Sequence, residues 1–456
     1  MNNKNISNIL EHGADLLSKG ADYADIFIQS GAGHSSHYED GRIEELSSST
    51  SDGCGARIII GDRTYYSHTP GAAARNISSA LSLAAESALD IKLPYDCADD
   101  SLLLEMEDKV IQPDIDFFHS LNDDIRKRSA YVRQAAFRYS VSQRNVLIIR
   151  PDGKIARDKR NYCSFSAQII TEKNGLLQTG SERRCLSSAN ENFWEGSAPF
   201  EIACAAMNRA LLMLEAKPCP AGKMKVLLAG ESGGTIVHEA CGHELEADIV
   251  DKDYSIYRDK IGCKVAGDII TMVDDPTIKG LYGSYNFDDE GTPARRKVLI
   301  EKGVLKKYMT DVSSSRASSL PLTGNGRRES YRNIPVPRMS NTFLLPGKAD
   351  FETMLAHAEN GLYVKKMGGG EVNPTSGDFV FYVSEAYIIR KGKICEPVRG
   401  ATLTGNGPDA LSNILELGDN LLMEPGICGK SGQGVPVTDG QPSMLVDGLT
   451  VGGSEA

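Results

Sequence analysis

Residues 224–249, MKVLLAGESGGTIVHEACGHELEADI, read as a buried strand, a glycine-bearing turn and a helix. The helix carries two histidines, His238 and His243, with Glu239 beside the first. In the short His-Glu-x-x-His zinc motif the histidines are four apart, which leaves the imidazoles about 40° apart around the axis and facing one ion. Here they are five apart, and a regular helix would turn them about 140° away from each other. The pair converges only if the helix is distorted. A π-bulge inserts one residue into a turn and favours functional sites, and Gly242 is the residue that most easily permits a bend. The spacing therefore predicts a helix that loosens over Ala240–Gly242, with Glu239 placed as the general base of a metal site. The competing reading is two unrelated polar positions on an ordinary helix. Against it, the chain holds eight histidines, and in the second half only His357 accompanies this pair.

A catalytic zinc takes three protein ligands and keeps one position open. Three residues compete for the third place. Cys241 lies three from His238, a good helical spacing, although a thiolate there competes with the bend that brings in His243. Glu246 lies three from His243. Cys428, in EPGICGKSGQG, sits between Gly426 and Gly429, which suit a tight loop beside an ion.

Outward from this segment the chain divides. Residues 5–20 have helical spacing, and strand-like runs follow at 25–30, 42–47 and 56–61. An Ala/Leu/Ser-rich helix is expected over about 71–89, an irregular stretch near 94–101, and further helix near 114–135. Alternating runs through FRYSVSQ, NVLIIR, SFSAQIITE and LLQTGSE read as an antiparallel meander, with PDGK at 151–154 as a turn. A helix near 199–215 closes this half. KPCPAGK, 217–223, is the linker candidate, since two prolines and a glycine break any regular element. Strands and glycine-rich loops dominate the rest. The predicted fold class is α+β, with two domains of mainly antiparallel sheet and flanking helices, over 1–222 and 223–456.

Fifty basic residues against sixty-one acidic ones give a net charge of −11. That excludes the basic face of a nucleic-acid binder and disfavours an anionic membrane surface. No run of eighteen apolar residues suggests a membrane span, and the start lacks a secretory pattern. Ten cysteines without a regular framework are expected as reduced thiols in a cytoplasmic protein.

Six spaced segments carry a resemblance over nearly the whole length. They are GGTIVHEACGHELEAD (233–248), GSYNFDDEGTPARRKVLIEKGVL (283–305), GNGRRESYRNIPVPRMSNTFL (324–344), GGGEVNPTSGDFVFYVSEAYII (368–389), PVRGATLTGNG (397–407) and PGICGKSGQGVPV (425–437). YEDGRIEELSSSTSDGCGARII (38–59) fits as well. In these segments the chain resembles the TldD/PmbA metallopeptidases, in the branch that has HExxxH. The resemblance implies one zinc ion per chain, held by His238, His243 and Cys428, with Glu239 as the catalytic glutamate. It implies unfolded peptides or small proteins as substrates, and a dimer with itself or with a sister subunit lacking HExxxH. The N-terminal domain would then help to form an enclosed chamber. Cys241 departs from the family pattern, where an apolar residue is usual.

Other stretches bear on substrate. GGGEVNPTSGDFVF offers Gly369, Gly370, Glu371 and Asn373 as a loop and strand edge that an extended peptide could pair with, against a purely structural hairpin. Arg327, Arg328 and Tyr331 could orient a carboxylate or an oxyanion. DDEG, 288–291, reads as a charged hairpin tip rather than a cation site. Two other functions compete with the zinc peptidase: a hydrolase using Cys428 as nucleophile, and a non-catalytic peptide-binding subunit, against which Glu239 argues.

Overall fold

The computed structural model describes residues 3–93, 104, 115–187, 197–373 and 375–453. The stretch expected to be irregular, 94–101, lies outside the described residues. Seven antiparallel strands form the N-terminal sheet, and its centre is the long strand Tyr23–Glu39. On one edge this strand pairs with Gly53–Ile60 along its first half and Arg42–Thr50 along its second; on the other edge Val132–Ile149 runs beside it. Strands Ile155–Lys173 and Leu176–Leu186 complete the expected meander. The helix expected over 114–135 stops earlier, at Arg128, because Val132 already faces the core as the first residue of a strand.

Side chains alternate across a strand, and the central strand uses both faces. Ile26 and Ile28 pack under the helices Asn3–Ser18 and Ala74–Leu89, together with Ile9, Leu16, Ile77 and Leu81. Phe27, between them, points the other way and packs with Ile148 and Tyr331 of the second half. Further along, Phe137 and Phe165 are covered by the helices Ile115–Arg128 and Ala198–Glu215.

The second half contains a closed ring of five strands: Gly361–Val372, Gly222–Leu228, Met444–Gly452, Thr402–Asn406 and Asp378–Arg390, which pairs back to the first. A six-stranded sheet stands beside it and ends in the hairpin of Gln433–Gln441 with Leu422–Lys430. Between barrel and sheet runs the segment from Thr235 to Asp251; its Ile236, Val237, Ala240 and Cys241 share one core with Val226, Leu362, Phe379 and Leu403. The fold is α+β, and its strand pairings are mainly antiparallel; three are parallel. The linker candidate is tied in: Lys217–Pro218 joins the edge of the barrel sheet, and Cys219 N–H donates to Arg399 O at 3.0 Å. Among the described residues no helix is long and apolar enough to cross a membrane.

DDEG departs from expectation. Asp288, Asp289 and Glu290 are buried, not a solvated tip. Asp288 accepts the backbone N–H groups of Glu290, Thr292 and Gly326. Asp289 meets Arg160 at 2.7 Å and Glu290 meets Arg57 at 2.7 Å, and both arginines come from the N-terminal sheet. Arg57 also holds Asp25, and Arg328 lies over the Phe27 ring. These groups form the seam between the two halves: against burial, Arg160 and other cations hold Asp289 ionised, whereas burial pushes Asp288 up to about 7 and Glu290 up to about 8 despite their backbone donors and Arg57. Removing Asp289 takes from buried Arg160 its closest carboxylate, leaving Asp158 at 3.1 Å, and also strips the acceptor of Arg328 N–H. Asp289→Ala should therefore lower the unfolding free energy by about 3–5 kcal/mol, read as an earlier urea midpoint; an unchanged midpoint would mean that this pair does not hold the seam.

Candidate metal centre

The strand Gly222–Leu228 leads into a short turn, Gly230–Ser232, and Gly233 reverses the chain at φ +86°. The helix starts at Thr235 but is not regular. Thr235–Val237 is α-helical, His238–Gly242 forms a π-turn, His243–Leu245 tightens to a 3-10 turn, and Ala247–Asp251 resumes as α-helix. The wide turn closes with His243 N–H donating to His238 O. This widened turn brings the imidazoles to the same side, with ring centroids 4.9 Å apart and planes at 90°.

Gly242 lies in this turn, as expected, but for another reason. Its torsions, φ −62° and ψ −49°, suit any residue. A methyl group there would lie 2.1 Å from Met339 Sδ, so a larger residue must push that buried methionine aside. Gly407 is required on the other side, where a methyl would meet Ala240 O at 2.0 Å.

Cys428 completes the group. It lies within the strand Leu422–Lys430, not in a glycine loop; the turn comes later, at Ser431 and Gly432, both at positive φ. Arg338 donates to Cys428 O and to Gln433 O, which holds the hairpin over the helix. Cys428 Sγ is 3.3 Å from His243 Nε2. The donor atoms of His238, His243 and Cys428 all lie within 4.8 Å of one another, so these three could hold one metal ion.

Each imidazole is oriented by a carboxylate. His238 Nδ1–H donates to Asp439 Oδ1 at 2.5 Å, and His243 Nδ1–H donates to Glu246 Oε2 at 2.9 Å. A carboxylate can only accept, so each ring carries a proton on Nδ1; despite burial, Asp439 and Cys428 beside His238, and Glu246 and Cys428 beside His243, favour the charged imidazolium, and a metal would displace the Nε2 proton and take that lone pair, as in carboxylate–histidine–metal triads. Burial alone would raise the Glu246 carboxyl, but Lys430 at 2.9 Å and His243 reverse this and hold it at about 2. Burial would likewise raise the Cys428 thiol. The charges of, and hydrogen bonds from, His238 and His243 outweigh it and draw the thiol down to about 5, the thiolate form that a metal needs. The donor set therefore fits a soft-to-borderline ion such as zinc. Glu239 is different: its side chain is 32% exposed, and Oε2 lies 3.9 Å from His243 Nε2, on the open side of the group.

The other candidates fall elsewhere. Cys241 is fully buried in the barrel core with Tyr257 and is not in the metal group. Glu246 is bound to His243, Lys430 and Met339 N–H, so it orients a ligand and is not one of the three donors. Arg327 and Tyr331, expected to orient a carboxylate or an oxyanion, lie inside the fold. Both are buried: Arg327 donates to Met339 O and Pro436 O, and Tyr331 packs against Gly53 of the N-terminal sheet, where any side chain would clash. Arg328 is buried in the seam. Gly369, Gly370, Glu371 and Asn373 are exposed, at the end of the hairpin formed by Gly361–Val372 and Asp378–Arg390. Asp439, Lys430 and Arg338 were not singled out in the sequence. Asp439 is some two hundred residues from His238, and no spacing signal links them.

Three family models together span most of the chain: PmbA/TldA metallopeptidase domain 1 matches residues 24–91, the central domain 101–214 and the C-terminal domain 221–453. Among curated relatives, the chain is 36% identical to a metalloprotease TldD homolog of Haemophilus influenzae, over 99% of this chain and 95% of that protein. It is 33% identical to a metalloprotease of Methanocaldococcus jannaschii, over 94% and 97%. A zinc metalloprotease TldD homolog of Saccharolobus solfataricus is 35% identical over 56% of this chain and 57% of its own length. The solved structure of TldE from Thermococcus kodakarensis superposes with a TM-score of 0.75 at 17% identity, covering 98% of this chain and 99% of that one; this likeness speaks for the fold alone. The fold and the His-His-Cys group define a metallopeptidase. The chain belongs to the PmbA/TldD family, and its full-length relatives are TldD homologues, metalloproteases by name.

Two substitutions test the geometry. Asp439→Asn should weaken metal binding about 10–100-fold, measured by competition with a chromophoric chelator; equal affinity would mean that His238 needs no carboxylate. Gly242→Ala should destabilise the chain by about 1–3 kcal/mol through overpacking and loosen the metal site. Adding Met339→Ala should restore the metal affinity, because the methyl then has room, but not the stability, because truncating a buried methionine leaves a cavity.

Proposed function

We propose that this chain is a zinc-dependent peptidase whose metal is held by His238, His243 and Cys428 and whose general base is Glu239. The observation that carries the reading is the convergence of two carboxylate-oriented imidazoles and a thiolate-prone cysteine, with a glutamate on the open side. A zinc ion at these donors, one per chain, supplies a Lewis acid that lowers the pKa of a water and polarises the scissile carbonyl. The Glu239 carboxylate accepts the proton of the attacking water and delivers it to the departing amine. His238 and His243 stay neutral as ligands, their Nδ1 protons pinned by Asp439 and Glu246.

The substrate is an extended, unfolded peptide. Of the strand Gly361–Val372, only Gly361–Val364 pair with Gly222–Leu228, so the edge beyond, through Gly368 and Gly369, has no strand partner on that side among the described residues. It borders a cavity of about 360 Å³ that also touches Gly233 and Thr235, at the head of the helix bearing the histidines. An added strand there would receive main-chain hydrogen bonds with little demand on side chains. Gly369, Gly370, Glu371 and Asn373 form the outer end of this edge. The same reading carries a dimer, with a copy of this chain or with a sister subunit lacking HExxxH, and action in the cytoplasm.

A second reading has one observation in its favour. A thiol drawn down beside two imidazoles also describes a cysteine nucleophile. The burial of Cys428, 3% exposed, favours a ligand over a nucleophile. Under the zinc reading, Glu239→Gln abolishes cleavage of an unfolded peptide while elemental analysis still finds about one zinc per chain. Cys428→Ala loses the zinc, and a chelator inhibits reversibly. Cleavage that survives both the chelator and Glu239→Gln but not alkylation of Cys428 would hand the site to the thiol.

A further inference from the structure

Two adjoining cavities, of about 360 and 380 Å³, follow the seam between the N-terminal sheet and the second half. Glu182, Arg183, Lys366 and Glu424 line both. Three of these four are already compensated. Lys366 lies 3.4 Å from Glu182 and 3.1 Å from Glu424, and Arg209 lies 3.0 Å from Glu182. Arg183 is exposed, and its guanidinium has no hydrogen-bond or ion-pair partner among the described residues; only its backbone N–H is used, by Glu182.

The strand Leu422–Lys430 shows where this guanidinium points. Glu424, Gly426 and Cys428 alternate onto one face and are opposite Asp439, Val437 and Val435. That face is the floor of the cleft, because Cys428 and Asp439 belong to the metal centre. At Gly426 the floor has no side chain. A methyl there would lie 3.9 Å from Arg183 Nη2 and 3.8 Å from Asp439 Oδ2, of the carboxylate that holds His238. A cation from the N-terminal half thus reaches the floor two residues along the strand from Cys428, over a gap left by a glycine.

We infer that Arg183 is a specificity-determining residue that binds a carboxylate of the substrate peptide beside the metal centre. The inference rests on the peptidase reading and deepens it. A guanidinium fork matches a carboxylate in two parallel hydrogen bonds. Lys365, Lys366 and Arg209 are shared among Glu182, Glu231, Glu385 and Glu424, so of the cations that line both cavities among the described residues Arg183 is the one whose donors are free for a ligand. The carboxylate has two sources, the C-terminus of the peptide or an Asp or Glu side chain near the cleaved bond. In the first case the enzyme trims peptides from their C-terminal end; in the second it selects acidic sequences.

The test uses zinc-loaded full-length protein carrying Glu239→Gln, so that peptide binds without turnover, and isothermal calorimetry. One hexapeptide containing a single Glu is compared with its C-terminal amide and with its Glu→Gln version. The expected result is a loss of affinity of about tenfold or more for one of the two. Loss with the amide assigns the C-terminus, and loss with Gln assigns the side chain. Adding Arg183→Ala should abolish that difference, whereas Arg183→Lys, which keeps the charge but not the fork, should retain part of it. A discrimination that persists without Arg183, the absence of any discrimination, or no measurable binding of any of the peptides overturns the inference. The peptidase reading fails separately: Arg183-dependent binding with no cleavage by the wild-type chain would sink that reading alone, and cleavage indifferent to carboxylates would sink this one alone.

Discussion

The π-turn over His238–Gly242, closed by His243 N–H donating to His238 O, sets the candidate metal site. Without this wide turn, residues five apart on a helix diverge by about 140°. With it, the two rings stand 4.9 Å apart. A π-turn is less favourable than an α-turn in isolation, so the surroundings must hold it. Met339 fills the space beside Gly242, Gly407 lies against Ala240 O, and Ile236, Val237 and Cys241 anchor the segment in the barrel core. The spacing that looks like a fault in a zinc motif is compensated by packing from three other parts of the chain.

A second layer of charge holds the donors. Asp439 and Glu246 fix the tautomers of the histidines, Lys430 fixes Glu246 and Asp248, and Arg338 fixes the backbone of Cys428. Lys430 and Cys428 lie on the same hairpin strand, so the strand that brings the thiol also brings the cation that keeps Glu246 ionised. The helix and the hairpin are thereby locked together through several hydrogen bonds. A ligand set supported in this way is preorganised, and little ordering remains for metal binding to impose.

The seam between the halves plays a comparable part at larger scale. Asp289 and Glu290, with Arg160 and Arg57, join the N-terminal sheet to the loops that lead to Arg327 and Arg338. The N-terminal half therefore does more than cover the half that carries the His-His-Cys group. Its strand Leu176–Leu186 supplies Glu182 and Arg183 to the cleft wall, and its central strand packs Phe27 against Tyr331.

Much was legible in the sequence. The five-residue spacing of His238 and His243 called for a distorted helix, because the geometry of a regular one forbids their meeting. Alternation and helical spacing located most strands and helices, since each depends on local contact with a core. Tertiary structure alone decided the rest. Cys428 and Asp439 reach the histidines by folding of a hairpin nearly two hundred residues away, and no local pattern encodes that. Cys241, three from His238 and so an attractive ligand by spacing, was claimed by the barrel core. DDEG looked like a solvated turn because three acids before a glycine usually are, and it is buried because Arg160 and Arg57 arrive from another sheet and backbone N–H groups meet Asp288. Local sequence specifies periodicity and torsion; which distant charges meet is settled by packing, and here those meetings make the site.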